Sequence, residues 1–208
     1  MDKKIIKKII ITDCFGKSNE IPDSDIINIE TKASVEKYCG SFTVILNNED
    51  GKNSKIAEAK DEIEIWVGRN EKEIRKIMAG YIDAITLVKK DESGETVELE
   101  GRSYESFLLD KKITGKIEYT NGYSEVFREI LKNSPFNLDE IQDSSGIGCL
   151  VFRDLPLIDL LRQLSEEISW VFKIDYDKNF LFKPDLKDTT HHHEITTDDL
   201  KNYRITKR

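Results

Sequence analysis

A chain of 208 residues in which 38% are hydrophobic and 35% charged can bury a sizeable core and remain well solvated, which excludes a disordered chain and a membrane-spanning one. No apolar run approaches membrane-spanning length, so no membrane anchor is expected. The formal net charge of -8 argues against a general nucleic-acid surface, which needs a concentrated basic stripe to displace phosphate counterions, and no specific nucleic-acid binding is expected.

The amino terminus, MDKKIIKKIII, is basic and then apolar, but lysines interrupt the apolar stretch and no small-residue cleavage site follows. It reads as a strand. In SFTVIL, Phe42, Val44 and Leu46 share one face, and in EIEIWV, Ile63, Ile65 and Val67 oppose Glu62, Glu64 and Trp66. Both are half-buried strands. Between them lies a polar insert, NEDGKNSKIAEAKDE, far longer than a hairpin needs. Its front half carries the turn formers Asn48, Asp50, Gly51 and Asn53; its second half carries helix formers, with Ile56 and Ala59 three apart behind Ser54 as cap. A short helical arm bearing a small apolar spot and an ordinary hairpin loop both fit this composition. A hairpin follows, from Tyr81–Lys89 to Thr96–Glu100 around DESG, and then a short helix with Tyr104, Phe107 and Leu108 behind Ser103 as cap.

Beyond Lys112 the pattern changes. Ser124 caps a helix whose apolar face is Val126, Phe127, Ile130 and Leu131, with Pro135 beyond its end. The segment from Cys149 to Leu186 then reads as strand, helix and hairpin. Asp154 is the cap, Pro156 sits in the first turn, and Leu157, Leu160, Leu161, Leu164 and Ile168 form the stripe. Trp170, Phe172 and Ile174 alternate in the next strand, and DYDKN returns the chain into FLFKP. The division is a β domain over 1–112, a small α+β domain over 113–187, and a polar linker, or the start of a further barrel segment, over 188–208.

Chemistry is sparse. Cys14, Cys39 and Cys149 are odd in number and unpatterned, so neither a disulfide framework nor a zinc knuckle is indicated, and a reducing compartment is the default. His191, His192 and His193 are contiguous, and adjacent side chains diverge; they read as solvated linker rather than as a metal site. No metal and no organic cofactor is expected. Two carboxylates separated in space can hydrolyse a glycoside, yet Glu62, Glu64, Glu98 and Glu100 occupy alternate strand positions, as a solvated sheet face requires. SSGIGC at 144–149 lacks the Gly-Lys-Ser/Thr ending of a phosphate loop and reads as a turn.

Taken in order, SFTVILNN, the DG insert, DEIEIWVG, MAGYIDAITLV, VELEGRSYESFLLD, YTNGYSEVFREILKN and FRDLPLIDLLRQLSEEISWVFKIDYDKNFLFKP resemble the hub proteins of contractile phage tails and related injection systems, among them the late-control gene D family. The resemblance covers roughly residues 25–186. It implies an α+β, predominantly β fold: a tail-tube-like β-barrel followed by a small inserted α+β domain. It also implies a structural, non-enzymatic role as baseplate hub or hub-like component, linking tail tube protein to central spike protein by ring assembly, three copies to a ring. Such a protein is assembled in the host cytoplasm and resides in the virion tail or the injection-particle baseplate. No catalytic residue carries over, because that family has none. A ring needs contacts an isolated barrel does not supply, and Asp50, Gly51, Ser54, Ile56 and Ala59 of the insert are the candidate assembly interface. Family hubs usually continue into a second barrel, which EITTDDLKNYRITKR approaches; the chain is then a piece of a longer hub, or the second barrel is supplied otherwise. The rival expectation is a tail-associated lytic or carbohydrate-binding module using surface carboxylates.

Overall fold

In a computed structural model of the chain, residues 5–33, 39–70, 72–90 and 94–185 are described. Seven strands form one antiparallel sheet: β1 (Ile6–Thr12), β2 (Ser18–Ile21), β3 (Ile26–Lys32), β4 (Ser41–Asn47), β5 (Glu62–Gly68), β6 (Arg75–Lys90) and β7 (Gly94–Ser103), in the order β2-β1-β5-β6-β7-β4-β3. Period-2 alternation sends Ile9, Ile11, Phe42, Val44, Leu46, Ile63, Ile65, Val97 and Leu99 to one face, where all are buried in a single cluster. Cross-strand partners within it include Ile9 with Ile65, Ile11 with Ile63, Val44 with Leu99 and Leu46 with Val97. Gly101 faces the same core. A Cβ there would lie 2.3 Å from the Phe42 ring and 2.2 Å from the Tyr81 carbonyl oxygen, so only glycine lets these strands close on that ring.

Ile21 of β2 and Ile26 of β3 belong to that same cluster although they come from opposite margins of the sheet. The sheet therefore curls on itself. A 3-10 turn over Asp23–Asp25 joins the two margins, but β2 and β3 exchange no ladder bonds. Side chains bridge the seam instead: the Lys7 amide donates to Asp23 Oδ1 at 3.3 Å, and Lys7 Nζ donates to the Ile26 carbonyl at 2.9 Å. The expected closed barrel is thus, in this chain, a large curled antiparallel sheet whose ladder stays open, because the four-residue β2 is too short to run along β3.

The second cluster is built by α1 (Ser106–Asp110), the antiparallel pair of β8 (Lys112–Tyr119) and β9 (Gly148–Pro156), α2 (Tyr123–Leu131), α3 (Leu157–Glu167) and the hairpin of β10 (Trp170–Ile174) and β11 (Phe180–Pro184). Val126, Phe127 and Leu131 of α2 and Leu157, Leu160, Leu161 and Leu164 of α3 are buried as their helical spacing requires. Phe127 meets Phe182 edge-on with centroids 4.1 Å apart, and Trp170, only half-buried, lies 4.8 Å from Phe182. Leu108 of α1 also belongs to this cluster.

The three helix caps expected outside the insert are not caps. Ser103 ends β7, and its hydroxyl accepts the Gly40 amide at 2.8 Å. Ser124 lies inside α2, where its hydroxyl donates to the Asn121 carbonyl and accepts the Ser144 amide; Glu125 accepts the Thr120 and Asn121 amides ahead of the helix instead. Asp154 belongs to β9 with φ at +47° and pairs with Lys112 at 3.0 Å, while Pro156 sits one residue before α3 rather than in its first turn. Alternation in β5 also breaks after Ile65, where the ladder to β6 shifts register and leaves Val67 half-buried. Leu160→Ala is expected to cost about 2–5 kcal/mol in denaturant unfolding, since Leu160 is nearly fully buried between helices and sheet.

Candidate assembly surface

The long insert is pinned to the sheet. After a 3-10 turn over Glu49–Gly51 it continues as turns, so of the two readings that its composition left open the helical arm is absent. Three buried polar side chains impose that path. Asn48 Nδ2 donates to Glu95 and its Oδ1 accepts the Ser54 amide at 2.8 Å; Asn53 Nδ2 donates to the Asn47 carbonyl at 2.6 Å and to Asp25 at 3.2 Å; Asp61 accepts the Glu58 amide at 2.8 Å. These side-chain bonds replace a helical ladder, as Asx residues do in turns. Ala57 enters the sheet core and Ile56 packs against it. Of the five expected interface residues, Ser54 is held through its amide and through its hydroxyl on the Gly51 carbonyl, Gly51 and Ile56 are half-buried, and Asp50 and Ala59 remain exposed. Ile56 therefore does not form an outward apolar spot with Ala59.

The insert ends by extending the sheet by one step. The Lys60 amide donates to the Ile82 carbonyl at 2.7 Å, and the Ile82 amide to the Asp61 carbonyl at 2.9 Å. Beyond that point β6 from Ala84 to Lys90 pairs only with β7, and its other edge has no partner strand among the described residues. Leu87, 55% exposed, lies on this stretch. On the opposite side of the strip β6-β7-β4-β3, the outer edge of β3 has no strand partner among the described residues, although Lys7 Nζ holds the Ile26 carbonyl at its start, and Ile27 is exposed there. The free stretches are equally long, since β3 has seven residues and 84–90 spans the same number.

A bulge at Ile82/Ala84 makes Asp83 the extra residue of β6. Its carboxylate receives Arg102 Nε at 2.7 Å and a terminal guanidinium nitrogen at 3.0 Å, and Arg102 also reaches Asp110 at 2.9 Å. The guanidinium hydrogen bonds hold the Asp83 carboxyl below the ordinary carboxylate range.

The outer face of β5 and β6 is where the sheet meets the second cluster. Ala79, Tyr81 and Tyr104 pack into that cluster, and the two tyrosine rings meet edge-on at 5.3 Å. Glu62 and Glu64, expected on a solvated face, anchor this joint instead. Lys178 in the β10–β11 turn pairs with Glu62 at 2.5 Å and lies over the Tyr104 ring at 5.2 Å. Lys76 pairs with Glu64 at 2.7 Å and Asp177 at 2.6 Å and lies over Trp66 at 5.1 Å. Burial works against the Lys76 charge, but the hydrogen bonds to Asp177 and Glu64 outweigh it and raise its pKa. Burial, then the nearby Glu62, pushes the Tyr81 hydroxyl up to about 12. Glu98 stays half-buried and Glu100 exposed.

Nothing in this arrangement converges on a reacting centre. Cys39 sits against Ser103, and burial raises its thiol pKa, which disfavours the nucleophilic thiolate. Among the described residues no group of His, Cys, Asp and Glu is placed to hold a metal ion, and no helix is long and apolar enough to cross a membrane. His191, His192 and His193 lie outside the described residues. The free edges escape sequence reading because pairing between distant strands leaves no local signature.

Two outcomes follow. Asn48→Ala is expected to cost about 1–3 kcal/mol of unfolding free energy, since it removes a fully buried amide and leaves the half-buried Ser54 amide without its acceptor. The Asp83 contribution to stability is fully present above an unfolded carboxyl pKa of about 3.9 and is lost as pH falls through the lower folded value, so Asp83→Asn should flatten the acid limb of a stability–pH curve. Thermal melts from pH 6 down to pH 2 read this directly.

No protein-family model and no curated protein sequence matches the chain. Solved structures do. The 43 kDa tail protein of prophage MuSo2 from Shewanella oneidensis is similar at TM-score 0.61 and 16% identity, over 86% of this chain and 56% of that one. The tail protein from Neisseria meningitidis MC58 gives 0.60 and 11%, over 86% and 51%. A chain of the half-lidded Francisella PdpA–VgrG complex gives 0.55 and 11%, over 86% and 31%. The chain spans about half the length of the two tail proteins. Across most of its described residues, it has the fold of phage tail proteins and of a PdpA–VgrG component.

Proposed function

We propose that this chain is a structural component of a phage tail or a related injection particle: a hub or hub-like adaptor that forms a ring of copies and links the tail tube to the central spike. The observation that carries the reading is a strip of four strands, β6-β7-β4-β3, with unpaired edges of equal length on its two sides, within a fold shared with tail proteins. Backbone groups on such edges are a template for another strand, and the bulges and charges sit towards the ends of both stretches. An edge-to-opposite-edge contact is heterologous, and it closes into a ring when the rotation per copy divides a full turn. Three copies are proposed, with the sheets joining into a tube-like barrel that no single chain completes. The sheet unit over 1–112 forms the ring, and the α+β unit over 113–187, against which α1 packs, faces the neighbouring component. Of the insert's Asp50, Gly51, Ser54, Ile56 and Ala59, the exposed Asp50 and Ala59 contribute in this reading, Ala59 standing next to the Lys60 amide that bonds Ile82 of β6. Assembly takes place in the host cytoplasm, and the product resides in the virion tail or particle baseplate. The role is not enzymatic.

Ala84→Lys with Leu87→Lys places two charges on the β6 edge at exposed positions. The parent chain should sediment as a ring with or without tube protein and appear annular in electron microscopy, while the variant should remain a folded monomer by circular dichroism. A parent that stays monomeric even with tube protein, a variant that assembles equally well, or hydrolysis of purified cell wall by the parent would overturn the proposal.

A further inference from the structure

The antiparallel pair β8–β9, whose strands are separated in sequence by α2, is a two-stranded ribbon standing apart from the large sheet, and two-stranded ribbons are marginal on their own. One face packs inward through Ile117 and Phe152. The other carries a stripe on β9 and its approach: Ile147 is 82% exposed, Cys149 exposed and Val151 76% exposed, with Arg153 at the next position of the same alternation. Cross-strand from this stripe, Lys116 opposes Val151 and Glu118 opposes Cys149, and these two charges pair with each other at 2.5 Å. The stripe is thus bounded by charge on the β8 side and unbounded on the other. There the β9 edge makes no strand pairing among the described residues. Arg153 has no ionic partner among them, in contrast to Lys112 and Lys116 on the same ribbon, which pair with Asp154 and Glu118.

We infer that β9 is a docking edge for an extended strand of a partner protein, one that carries apolar side chains at alternate positions and a carboxylate beside Arg153. A strand added at β9 satisfies the edge amides and carbonyls, and its alternate side chains lie on the outward face, next to Ile147 and Val151. This converts the ribbon into a three-stranded sheet. The free guanidinium sets the charge of the partner, and the apolar stripe sets its alternation. The surface lies on different strands from the edges of the proposed ring, so it can be occupied whether or not that ring forms.

The probe is a capped, fluorescein-labelled peptide of alternating valine and serine with aspartate at each end, titrated against the full chain by fluorescence polarisation. Saturable binding is expected. It should weaken on the order of tenfold or more with Val151→Lys, with Arg153→Glu, and when the peptide amides of one edge are N-methylated. Replacing the aspartates by lysine should restore binding to Arg153→Glu. Both altered positions on the protein are exposed, and circular dichroism verifies that the variants fold. Absence of saturable binding, or binding indifferent to N-methylation of either edge and to Val151→Lys, overturns the proposal. So does a parent dimer in sedimentation that Val151→Lys converts to monomer, because the stripe would then be a contact between copies.

Discussion

The middle of strand β6, from Met78 to Ile82, is covered on both faces at once, and the rest of the molecule is arranged around that constraint. Met78 points into the sheet core while Ala79, the next residue, belongs to the helical cluster. A strand in an antiparallel sheet ordinarily keeps one face for water. Here water is excluded from both, so the outer face of β5–β7 must be matched by a second body of structure. Tyr81 and Tyr104 form the apolar centre of that match, and Tyr176 in the β10–β11 turn packs against both clusters.

The rim of this contact is ionic. Glu62 and Glu64 leave the sheet on the same outward face, and each is met by a lysine that also lies over an aromatic ring. Partly desolvated pairs of this sort gain little net free energy over an apolar contact of equal size, but losing one partner strands the other. Their effect is to fix the register of the turn on the strand. A sheet outer face and a hairpin turn can slide over an apolar patch; they cannot slide past the two ion pairs that cross between them, Lys178 with Glu62 and Lys76 with Asp177.

Much of the strand content was legible because alternation is a local signal: Phe42, Val44 and Leu46, or Ile63 and Ile65, declare their face within a few residues. The helices α2 and α3 were legible for the same reason. What failed was the assignment of polar residues. Ser103, Ser124 and Asp154 have the composition of caps, but each has a partner distant in sequence or fixed by strand geometry, and no local pattern shows it. The insert misled in the same way. SKIAEAKDE has helical propensity, yet Asn48, Asn53 and Asp61 form bonds worth more in a buried setting than a single turn of helix in water. Glu62 and Glu64 looked like a solvated face because the lysines that meet them come from more than a hundred residues away, or from across the β5–β6 ladder. The unpaired edges and the exposure of the β9 stripe depend on pairings between remote strands, whereas the likeness to tail proteins was already visible as a resemblance in the order of the pieces along the chain.

The position of β1 has a consequence for how the chain reaches this state. Although it comes first in the sequence, β1 lies between β2 and β5, and β5 emerges from the ribosome only after β2, β3 and β4. Until then the β1–β2 hairpin holds Ile9, Ile11 and Ile21 against water with no opposing layer, and β4 waits in turn for β7. Non-local pairing of this kind slows folding, because loop closure must precede the contacts that reward it. Until β5 is made, that isoleucine face has nothing to bury against, and transiently exposed apolar strands of this kind are prone to associate.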